Sequence, residues 1–476
     1  MIRHVEVRTG TYHDSVTLMQ VSQAIQGEDG VGGALVAMAT QLNLDLLGGM
    51  GFDVPAASPN DLVVGVTADD DAALGRALGR LEAALTARPS ADQGGFGAAP
   101  APLTIGSAAR RDAGTIAFVS TPGPYAFADA MDALQHGLHV VVFSDNVPVE
   151  QEVRLKREAH DRGLLVMGPD CGTAVVGGVG FGFANVVRPG PVGIVAASGT
   201  GAQQLLSLVD GAGVGISHCL GVGGRDLSAE VGGASTLAAL DLLAEDDATE
   251  VVVVVSKPPA PQVADAVRER AEKLRKPVVL ALLGPGQRDL TAVAETIVTT
   301  AGAQWRPPRA WPSTAPATGP YPSIRGLYAG GTLCEEARLV VNAELATSGH
   351  TFIDFGDDTL TRGRPHPMID NSLRVERLLA EARDPSCGVV LLDVVLGHGA
   401  HPDPAAELAP AIVRARNIAG ARGRDLAVVV ALVGTADDPQ GLEEQARALR
   451  DAGASVHLSN AAAARTAIAL CSGGAA

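Results

Sequence analysis

Two short glycine-containing turns hold the residues of this chain that are best suited to bind an anion. The first is Ser198-Gly199-Thr200-Gly201, which follows an apolar strand and precedes a helix-like stretch. The second, Gly330-Gly331-Thr332, stands in the same context later in the chain. A helix N-terminus has unpaired backbone N–H groups and the positive end of the helix dipole, and glycine lets an anion approach both closely. Both turns are therefore predicted to bind a phosphate or carboxylate group.

Polar residues in other loops provide the groups that a transfer reaction on a bound anion would need. Such a reaction requires donors for a developing oxyanion and a proton for the leaving group. The candidates are Gly224, Arg225 and Arg364 as oxyanion donors, His366 and His398 as proton donors, and Lys257 and Asn146 as further substrate contacts. Each candidate also has a plainer interpretation: the arginines could form surface ion pairs, and the histidines could be structural or solvated loop residues.

The composition of the 476-residue chain excludes several classes of function. Its formal net charge of −17 disfavours nucleic acid and anionic membranes as partners, since both attract basic surfaces. The five cysteines form no Cys-x-x-Cys pair, which predicts a reduced protein with no disulfide framework and no zinc cluster. The N-terminal residues show no signal-peptide pattern, and the longest apolar runs have the length of strands. We expect a cytoplasmic protein that binds no metal.

The order of predicted strands and helices divides the chain into four α/β or α+β units. Residues 1–90 form a small ferredoxin-like α+β unit, and residues 107–187 follow a βαβαβ pattern typical of a Rossmann-like parallel sheet. A further α/β domain occupies residues 188–303. Residues 304–322 are rich in proline and are predicted to be an extended linker, and residues 323–476 form the last α/β domain.

The last two domains repeat the same plan loop by loop. The first glycine turn corresponds to the second, and Ser256-Lys257-Pro258-Pro259-Ala260 corresponds to Leu396-Gly397-His398-Gly399-Ala400. Two related domains in one chain predict a pseudo-two-fold pair. Because binding sites favour domain interfaces, we expect the site between the two repeats.

These loops resemble those of succinyl-CoA synthetase. Residues 107–302 resemble its α subunit through Gly168-Pro169-Asp170-Cys171-Gly172 and Gly221-Val222-Gly223-Gly224, and residues 323–476 resemble the carboxy-terminal domain of its β subunit. The resemblance implies a Rossmann-like domain of the CoA-binding type followed by two flavodoxin-like domains. It also implies one phosphate held from both sides by two helix N-termini, which assigns phosphate binding to Ser198, Gly199, Thr200 and Gly201 together with Gly397 and Gly399.

A closer resemblance, to the FdrA family, covers the whole chain. It is carried by long strings such as Phe143-Ser144-Asp145-Asn146-Val147, Gly363-Arg364-Pro365-His366-Pro367-Met368 and Leu391-Leu392-Asp393-Val394-Val395-Leu396-Gly397. The family is described as acyl-CoA synthetase-like, and members are linked to the multisubunit oxamate carbamoyltransferase of purine (allantoin) breakdown. That enzyme converts oxalurate and phosphate to oxamate and carbamoyl phosphate. The resemblance implies partner subunits, an oligomer, and no cofactor beyond inorganic phosphate.

Departures from the synthetase pattern bear on the choice of function. The synthetase needs a phosphorylated histidine, but the corresponding loops at 284–289 and 434–438 contain none. Residues 1–106 are too short for a nucleotide-grasping domain, and no Walker-type motif is present. These departures favour a phosphate-dependent carbamoyltransferase subunit. Two alternatives stay open: an acyl-CoA ligase subunit that uses CoA and a nucleotide, and a non-catalytic scaffold whose N-terminal unit binds an effector.

Overall fold

The structure is a computed structural model that describes residues 2–11, 13, 15–86, 102–111, 114–314, 319–346, 348–361 and 364–473. An antiparallel sheet of order β1-β3-β2 forms the N-terminal unit, with apolar faces of the helices packed on it. The helix α2 was not expected from the sequence, because its two glycines weaken the helical pattern. The elements are β1 (Ile2–Arg8), α1 (Ser15–Gln26), β2 (Val31–Met38), α2 (Gln41–Gly49), β3 (Leu62–Ala68) and α3 (Asp71–Thr86).

A parallel three-stranded sheet of order β4-β5-β6 follows, as the βαβαβ pattern predicted. The next two strands form a hairpin that joins the sheet of the following domain, where the first of them pairs with the strand Ile216–Gly221. The predicted boundary at residue 187 therefore falls after the chain has entered the next sheet. The elements are α4 (Ile105–Ala109), β4 (Ile116–Val119), α5 (Gly123–Gln135), β5 (His139–Val142), α6 (Val149–Asp161), β6 (Val166–Met167), β7 (Thr173–Val176) and β8 (Val179–Gly182).

The first flavodoxin-like domain has the sheet order β12-β11-β9-β10-β7-β8. Its first four strands in that order are parallel and consist largely of buried valine, leucine and alanine, as expected for strands covered on both faces. The elements are β9 (Pro189–Ala197), α7 (Gly199–Gly211), β10 (Ile216–Gly221), α8 (Ala234–Glu245), β11 (Val251–Ser256), α9 (Pro261–Glu272), β12 (Val278–Leu282) and α10 (Leu290–Thr300).

The second flavodoxin-like domain repeats this arrangement with the order β13-β18-β17-β16-β14-β15. Strand β13 lies in the proline-rich segment predicted as a linker and pairs antiparallel with β18. The elements are β13 (Ala310–Trp311), β14 (Ile324–Tyr328), α11 (Gly331–Glu344), β15 (Thr351–Asp354), α12 (Asp358–Thr361), α13 (Ser372–Glu381), β16 (Val389–Val395), α14 (Pro404–Gly420), β17 (Ala427–Val433), α15 (Leu442–Asp451), β18 (Ala454–His457) and α16 (Asn460–Ser472).

The two flavodoxin-like domains share one hydrophobic core. Buried side chains of α7 and α10 in the first domain form a single cluster with those of α11 and α16 in the second. Polar contacts also cross this interface: Gln204 accepts a hydrogen bond from the Asn460 backbone N–H at 2.9 Å, and Glu336 accepts one from the Leu290 N–H at 2.6 Å. The mixed α/β fold with paired flavodoxin-like domains, as predicted, is confirmed. The continuous core fixes the repeats rigidly against each other.

Candidate functional site

Both glycine turns lie at the point of their sheets where ligands of open α/β folds bind. In each domain the strand that precedes the turn is flanked by the next two parallel strands, one on each side. Successive connections therefore leave in opposite directions and open a crevice at the carboxyl ends of these strands. Ser198 follows β9 at this place, and Gly330 follows β14 at the equivalent place. The local fold thus places the start of α7 and the start of α11 at these crevices, with Gly199 exposed and Gly331 half-buried.

The two turns are in direct contact across the domain interface. The Ser198 and Thr332 hydroxyl oxygens are 2.6 Å apart, and the Ser198 hydroxyl also accepts a hydrogen bond from the Gly201 N–H at 3.0 Å. Glycine is required for this approach, because a Cβ at Gly330 would lie 2.7 Å from the Thr200 side chain. A Cβ at Gly201 would lie 2.9 Å from Thr332 Cγ2. The first turns of α7 and α11 therefore face one common region.

Two charged side chains converge on the second turn. A Cβ at Gly331 would lie 2.6 Å from the Lys257 ammonium nitrogen and 2.3 Å from Asp354 Oδ2, so both groups rest against the bare glycine. Lys257 comes from the end of β11 in the other repeat and is exposed. Burial raises the pKa of Asp354 to about 6, against the opposing effect of the Lys257 charge. The region between the two turns, which we call the cleft, thus holds the exposed Lys257 ammonium group beside the first amides of α11, a combination suited to an oxyanion.

His366 lies beside this cleft as a neutral imidazole. A Cβ at Gly356, which follows Asp354 closely in the chain, would lie 2.9 Å from His366 Nε2. The Met368 N–H donates to His366 Nδ1 at 3.2 Å, which leaves the ring proton on Nε2. Burial, together with the nearby Arg374 charge, lowers the pKa of His366 to about 4. At neutral pH the ring can donate a hydrogen bond but is a poor proton source, which departs from the acid role expected from the sequence.

The loop at Gly397 and Gly399, which the synthetase resemblance pairs with the first turn, has most of its amides bonded to other protein groups. The Gly397 N–H donates to Gln440 Oε1 at 3.0 Å, and the His398 N–H donates to the Ala184 carbonyl at 2.8 Å. A Cβ at Gly399 would lie 3.1 Å from the Gly182 carbonyl oxygen. Two of the three amides of this loop are thus occupied by protein groups, and the helix that follows begins only at Pro404.

The segment that covers this loop is residues 182–188, which we call the strap. The strap connects β8 to β9 and is held by Asp438, whose carboxylate accepts from the Val186 N–H at 2.7 Å and from Asn185 Nδ2 at 2.8 Å. The Phe183 ring lies against the His366 ring at a tilt of 38°, with 5.6 Å between the centroids. The strap therefore lies against the Gly397 loop, whereas the hydroxyl contact of Ser198 is with the equivalent turn of the second repeat, Gly330-Gly331-Thr332.

Arg225 is engaged in an ion-pair network between domains. Its Nε donates to Glu152 on α6 at 3.1 Å and its Nη2 to the Val147 carbonyl at 2.7 Å. Glu152 and Asp226 also bind the buried Lys156 ammonium group, each at 2.7 Å. Arg225 thus joins the Rossmann-like domain to the first flavodoxin-like domain, which corrects its expected role as an oxyanion donor. Gly224 lies in the same loop, where a Cβ would be 3.8 Å from Asp170 Oδ2.

The remaining predicted residues lie at the surface of their domains. Arg364 is exposed, and its backbone N–H donates to the Thr361 carbonyl at 2.9 Å. The His398 side chain is exposed at the mouth of the Gly397 loop. Asn146 is exposed at the end of β5, where it adopts a left-handed conformation with φ of 53° against the start of α5. None of these contacts brings Arg364, His398 or Asn146 to the paired turns.

Sequence reasoning missed two members of the cleft. Thr332 was predicted only as part of a second anion-binding turn, because the resemblance places the other half of the phosphate site in the Gly397 loop. Asp354 was not singled out at all, although it ends a strand next to the Gly356-Asp357 loop. The repeat itself was the signal that could have found both, since equivalent loops of a pseudo-two-fold pair meet at the axis.

Other features of the described residues lie apart from this cleft. A cavity of about 350 Å³ sits beside Phe52 in the N-terminal unit, and one of about 600 Å³ sits beside Arg416 on α14. Within the ranges that the structure describes, no three His, Cys, Asp or Glu side chains are grouped to hold a metal ion. In those same ranges no helix combines the length and the apolar character needed to cross a bilayer.

Three family models match consecutive parts of the chain. Residues 1–102 match "AllF, heavy metal-associated domain", residues 187–283 match "CoA binding domain", and residues 327–470 match "CoA-ligase". The N-terminal part has no cysteine, and among its described residues no three His, Asp or Glu side chains are grouped to hold a metal ion, so the described side chains do not fit a heavy-metal centre.

The similar proteins include CoA ligases. The malate–CoA ligase α subunit of Methylorubrum extorquens is 28% identical over 37% of this chain and 61% of its own length. The succinate–CoA ligase α subunit of Methanothermobacter thermautotrophicus is 27% identical over 36% of this chain and 59% of its own length. The chain thus spans about three-fifths of these α subunits. A solved structure of the dinucleotide-forming acetyl-coenzyme A synthetase 1 of Ca. Korarchaeum cryptofilum matches 81% of this chain and 89% of its own, at 16% identity and a TM-score of 0.31.

One relative matches nearly end to end. The Escherichia coli (strain K12) protein described as "uncharacterized protein YahF" is 37% identical over 94% of this chain and 95% of its own length. The chain therefore belongs to the same family as YahF, and it combines an AllF-type N-terminal domain with the CoA-binding and CoA-ligase domains of succinyl-CoA synthetase-like proteins.

Proposed function

We propose that this chain is the phosphate-binding subunit of a cytoplasmic carbamoyltransferase of the oxamate type, within the FdrA family. It would convert oxalurate and inorganic phosphate to oxamate and carbamoyl phosphate, together with partner subunits and with no other cofactor. The observation that supports this most is the meeting of two helix N-termini, one from each repeat, beside the Lys257 ammonium group. Neither loop that corresponds to the phosphohistidine loop contains a histidine, so phosphate itself would be the nucleophile.

The reaction is a single acyl transfer between two bound reactants. A phosphate oxygen attacks the carbamoyl carbon, the bond from that carbon to the amide nitrogen breaks, and the nitrogen leaves as oxamate after taking up a proton. Holding the two reactants in place can supply roughly 7–11 kcal/mol of the barrier. The amides of Gly199 and Gly331 and the Lys257 ammonium would hold the phosphate. The Nε2–H of His366 would donate to a carbonyl or developing oxyanion.

The proton for the leaving nitrogen needs a source other than His366. The pKa of His366 is about 4, so the ring is uncharged at neutral pH. Asp354, whose pKa burial raises to about 6, is a better-matched group, because it is partly protonated near neutral pH and rests against Gly331. We therefore assign Asp354 as the candidate proton donor and keep His398, which is exposed, as the sequence-based alternative.

An acyl-CoA ligase subunit is the second candidate function. The matches to the CoA-binding and CoA-ligase models and to malate–CoA and succinate–CoA ligase α subunits favour it. It would require CoA, a nucleotide and a phosphorylated residue supplied by a partner chain. The relatives named as subunits support an assembly of several chains under either function.

The deciding experiment compares substrates and one matched pair of lysine variants. The chain, co-expressed with the products of neighbouring genes, is assayed for carbamoyl phosphate from oxalurate and phosphate, and separately for acyl-CoA formation with ATP. Lys257→Met removes the ammonium at the cleft, whereas Lys273→Met removes an exposed lysine that pairs with Glu269 on α9. A hydrogen bond to a charged group is worth about 1.5–3 kcal/mol, so we expect Lys257→Met to lower kcat/KM for phosphate about 10- to 100-fold. Acyl-CoA formation alone, or equal activity of both variants, would overturn the proposal.

A further inference from the structure

We propose that Asp393 is the positioning residue for the second anion-binding turn, a role that rests on the proposed function. Asp393 belongs to the Leu391–Gly397 string, whose function the sequence left open, and it is fully buried near the end of β16. Its carboxylate accepts two backbone hydrogen bonds from the neighbouring loop. The Ala329 N–H donates to Oδ1 at 2.7 Å and the Gly330 N–H donates to Oδ2 at 2.8 Å.

The two repeats hold their turns with different residues. In the first repeat the Ser198 side chain caps α7 from within the turn, through the Gly201 N–H. In the second repeat the N-cap is Gly330, which has no side chain to do so. In the first repeat, strand pairing places Val255 beside Ala196. In the second repeat, Leu392 pairs with Leu327, so the next residue of each strand places Asp393 beside Tyr328. Asp393 thus stands where the other repeat has an apolar residue.

A serine at position 330 would not fit, so the second turn has no capping side chain of its own and is held from a neighbouring strand. A Cβ there would lie 2.7 Å from both Thr200 Oγ1 and Thr200 Cγ2, in the turn of the other repeat. Close contact between the turns therefore requires glycine at Gly330. Glycine in turn leaves α11 without a side-chain cap, and the buried carboxylate of Asp393 holds the turn from outside instead. Because Asp393 binds the amides of residues 329 and 330, the next amides, of Gly331 and Thr332, are directed to the cleft.

Arg374 makes this arrangement compatible with an anionic ligand. Its Nη1 donates to Asp393 Oδ1 at 2.7 Å and to the Asp393 carbonyl at 2.8 Å, and it is itself buried. The pair carries no net charge, so it does not repel a phosphate at the adjacent amides. Asn371 accepts from Arg374 Nη2 at 2.6 Å and donates to Glu407 at 2.9 Å, which fixes the guanidinium. Breaking such a buried pair leaves an uncompensated group and is strongly destabilising.

The test measures inorganic phosphate binding by isothermal titration calorimetry in a variant and a matched control. Asp393→Asn offers one acceptor oxygen to two N–H donors, so one of the two turn amides loses its partner. Glu381→Gln alters a second buried carboxylate that pairs with arginine in the same domain, through Arg325 at 3.2 Å, at the opposite end of β14. We expect Asp393→Asn to raise the Kd for phosphate at least tenfold. Glu381→Gln is expected to lower the melting temperature but leave that Kd within twofold.

The outcomes separate this inference from the proposed function. If the wild type binds phosphate and Asp393→Asn binds it equally well, the positioning role alone is overturned. The same holds if Asp393→Asn and Glu381→Gln lose phosphate binding to the same extent. A wild type that binds no phosphate overturns the proposed function and the positioning role together. If Asp393→Asn does not fold, Asn371→Ala is used instead. It removes one hydrogen-bond acceptor of Arg374, the residue that binds Asp393. That variant is expected to raise the Kd about threefold, and an unchanged Kd overturns the inference.

Discussion

Substitution of Gly331 by alanine tests the geometry of the cleft with a single methyl group. The new Cβ would lie 2.3 Å from Asp354 Oδ2 and 2.6 Å from Lys257 Nζ, distances at which both groups must move away. Because these atoms are the ends of side chains, the fold can yield at a cost of about 1–3 kcal/mol or less. The displaced ammonium then no longer reaches an anion at the α11 N-terminus. Losing one charged hydrogen bond of about 1.5–3 kcal/mol weakens phosphate binding about 10- to 100-fold.

The control for this substitution is Gly211→Ala, at the carboxyl end of α7. A Cβ at Gly211 meets no atom within 4 Å, so alanine there is expected to be neutral or to stabilise the protein by up to about 1 kcal/mol. Phosphate affinity is measured by isothermal titration calorimetry, and folding by thermal unfolding, for both variants. Gly331→Ala that stays folded and binds phosphate as tightly as Gly211→Ala would refute the placement of the anion beside Lys257.

Three further predictions concern the elements around the cleft. The pKa of His366 is about 4 in the folded protein and about 6.5 in the unfolded chain, so as the pH falls this histidine is protonated first in the unfolded chain. Protonation there lowers the free energy of unfolding. Between pH 6.5 and pH 4, urea unfolding should show that the wild type loses about 3 kcal/mol more stability than His366→Asn. Asp438→Ala leaves the strap donors Asn185 Nδ2 and Val186 N–H without this acceptor and should lower the free energy of unfolding by at least about 2 kcal/mol. Asp437 is exposed, and Asp437→Ala should change that free energy by less than about 0.5 kcal/mol. Equal effects of the two variants would contradict the role of Asp438 in holding the strap. Thr332→Val removes the hydroxyl contact between the turns and should cost about 1 kcal/mol in chemical unfolding; an unchanged midpoint would show that this contact is not formed.

The fold could be predicted from the sequence because its signals are local. Buried strands such as β11, Val-Val-Val-Val-Val-Ser, alternate with amphipathic helices, and this pattern determines a parallel α/β sheet. The first glycine turn was predicted for the same reason, since strand, glycine and helix follow each other directly. Ser198 could also be predicted as a cap, because its side chain reaches only three residues along the chain.

The contacts between repeats could not be predicted, because they depend on segments distant in sequence. The strap covers the Gly397 loop and is held there by the hydrogen bond between Asn185 and Asp438, which are 253 residues apart in the sequence. Nothing in the composition of the strap marks it as a cover for that loop. Arg225 was predicted to donate hydrogen bonds to an oxyanion. Its actual partner, Glu152, is 73 residues away on a helix of another domain, so the sequence alone does not show the ion pair. Residue types suggested the chemistry, but only packing decided which of them share a site.

The most direct test of the central claim is a crystal structure determined in the presence of sulfate or phosphate. We expect one anion bound where the two repeats meet, within hydrogen-bond distance of the Gly199 or Thr200 amide, of the Gly331 amide, and of the Lys257 ammonium. An anion held instead in the Gly397 loop, or a cleft that stays empty at saturating phosphate, would show that the two turns do not form one anion site.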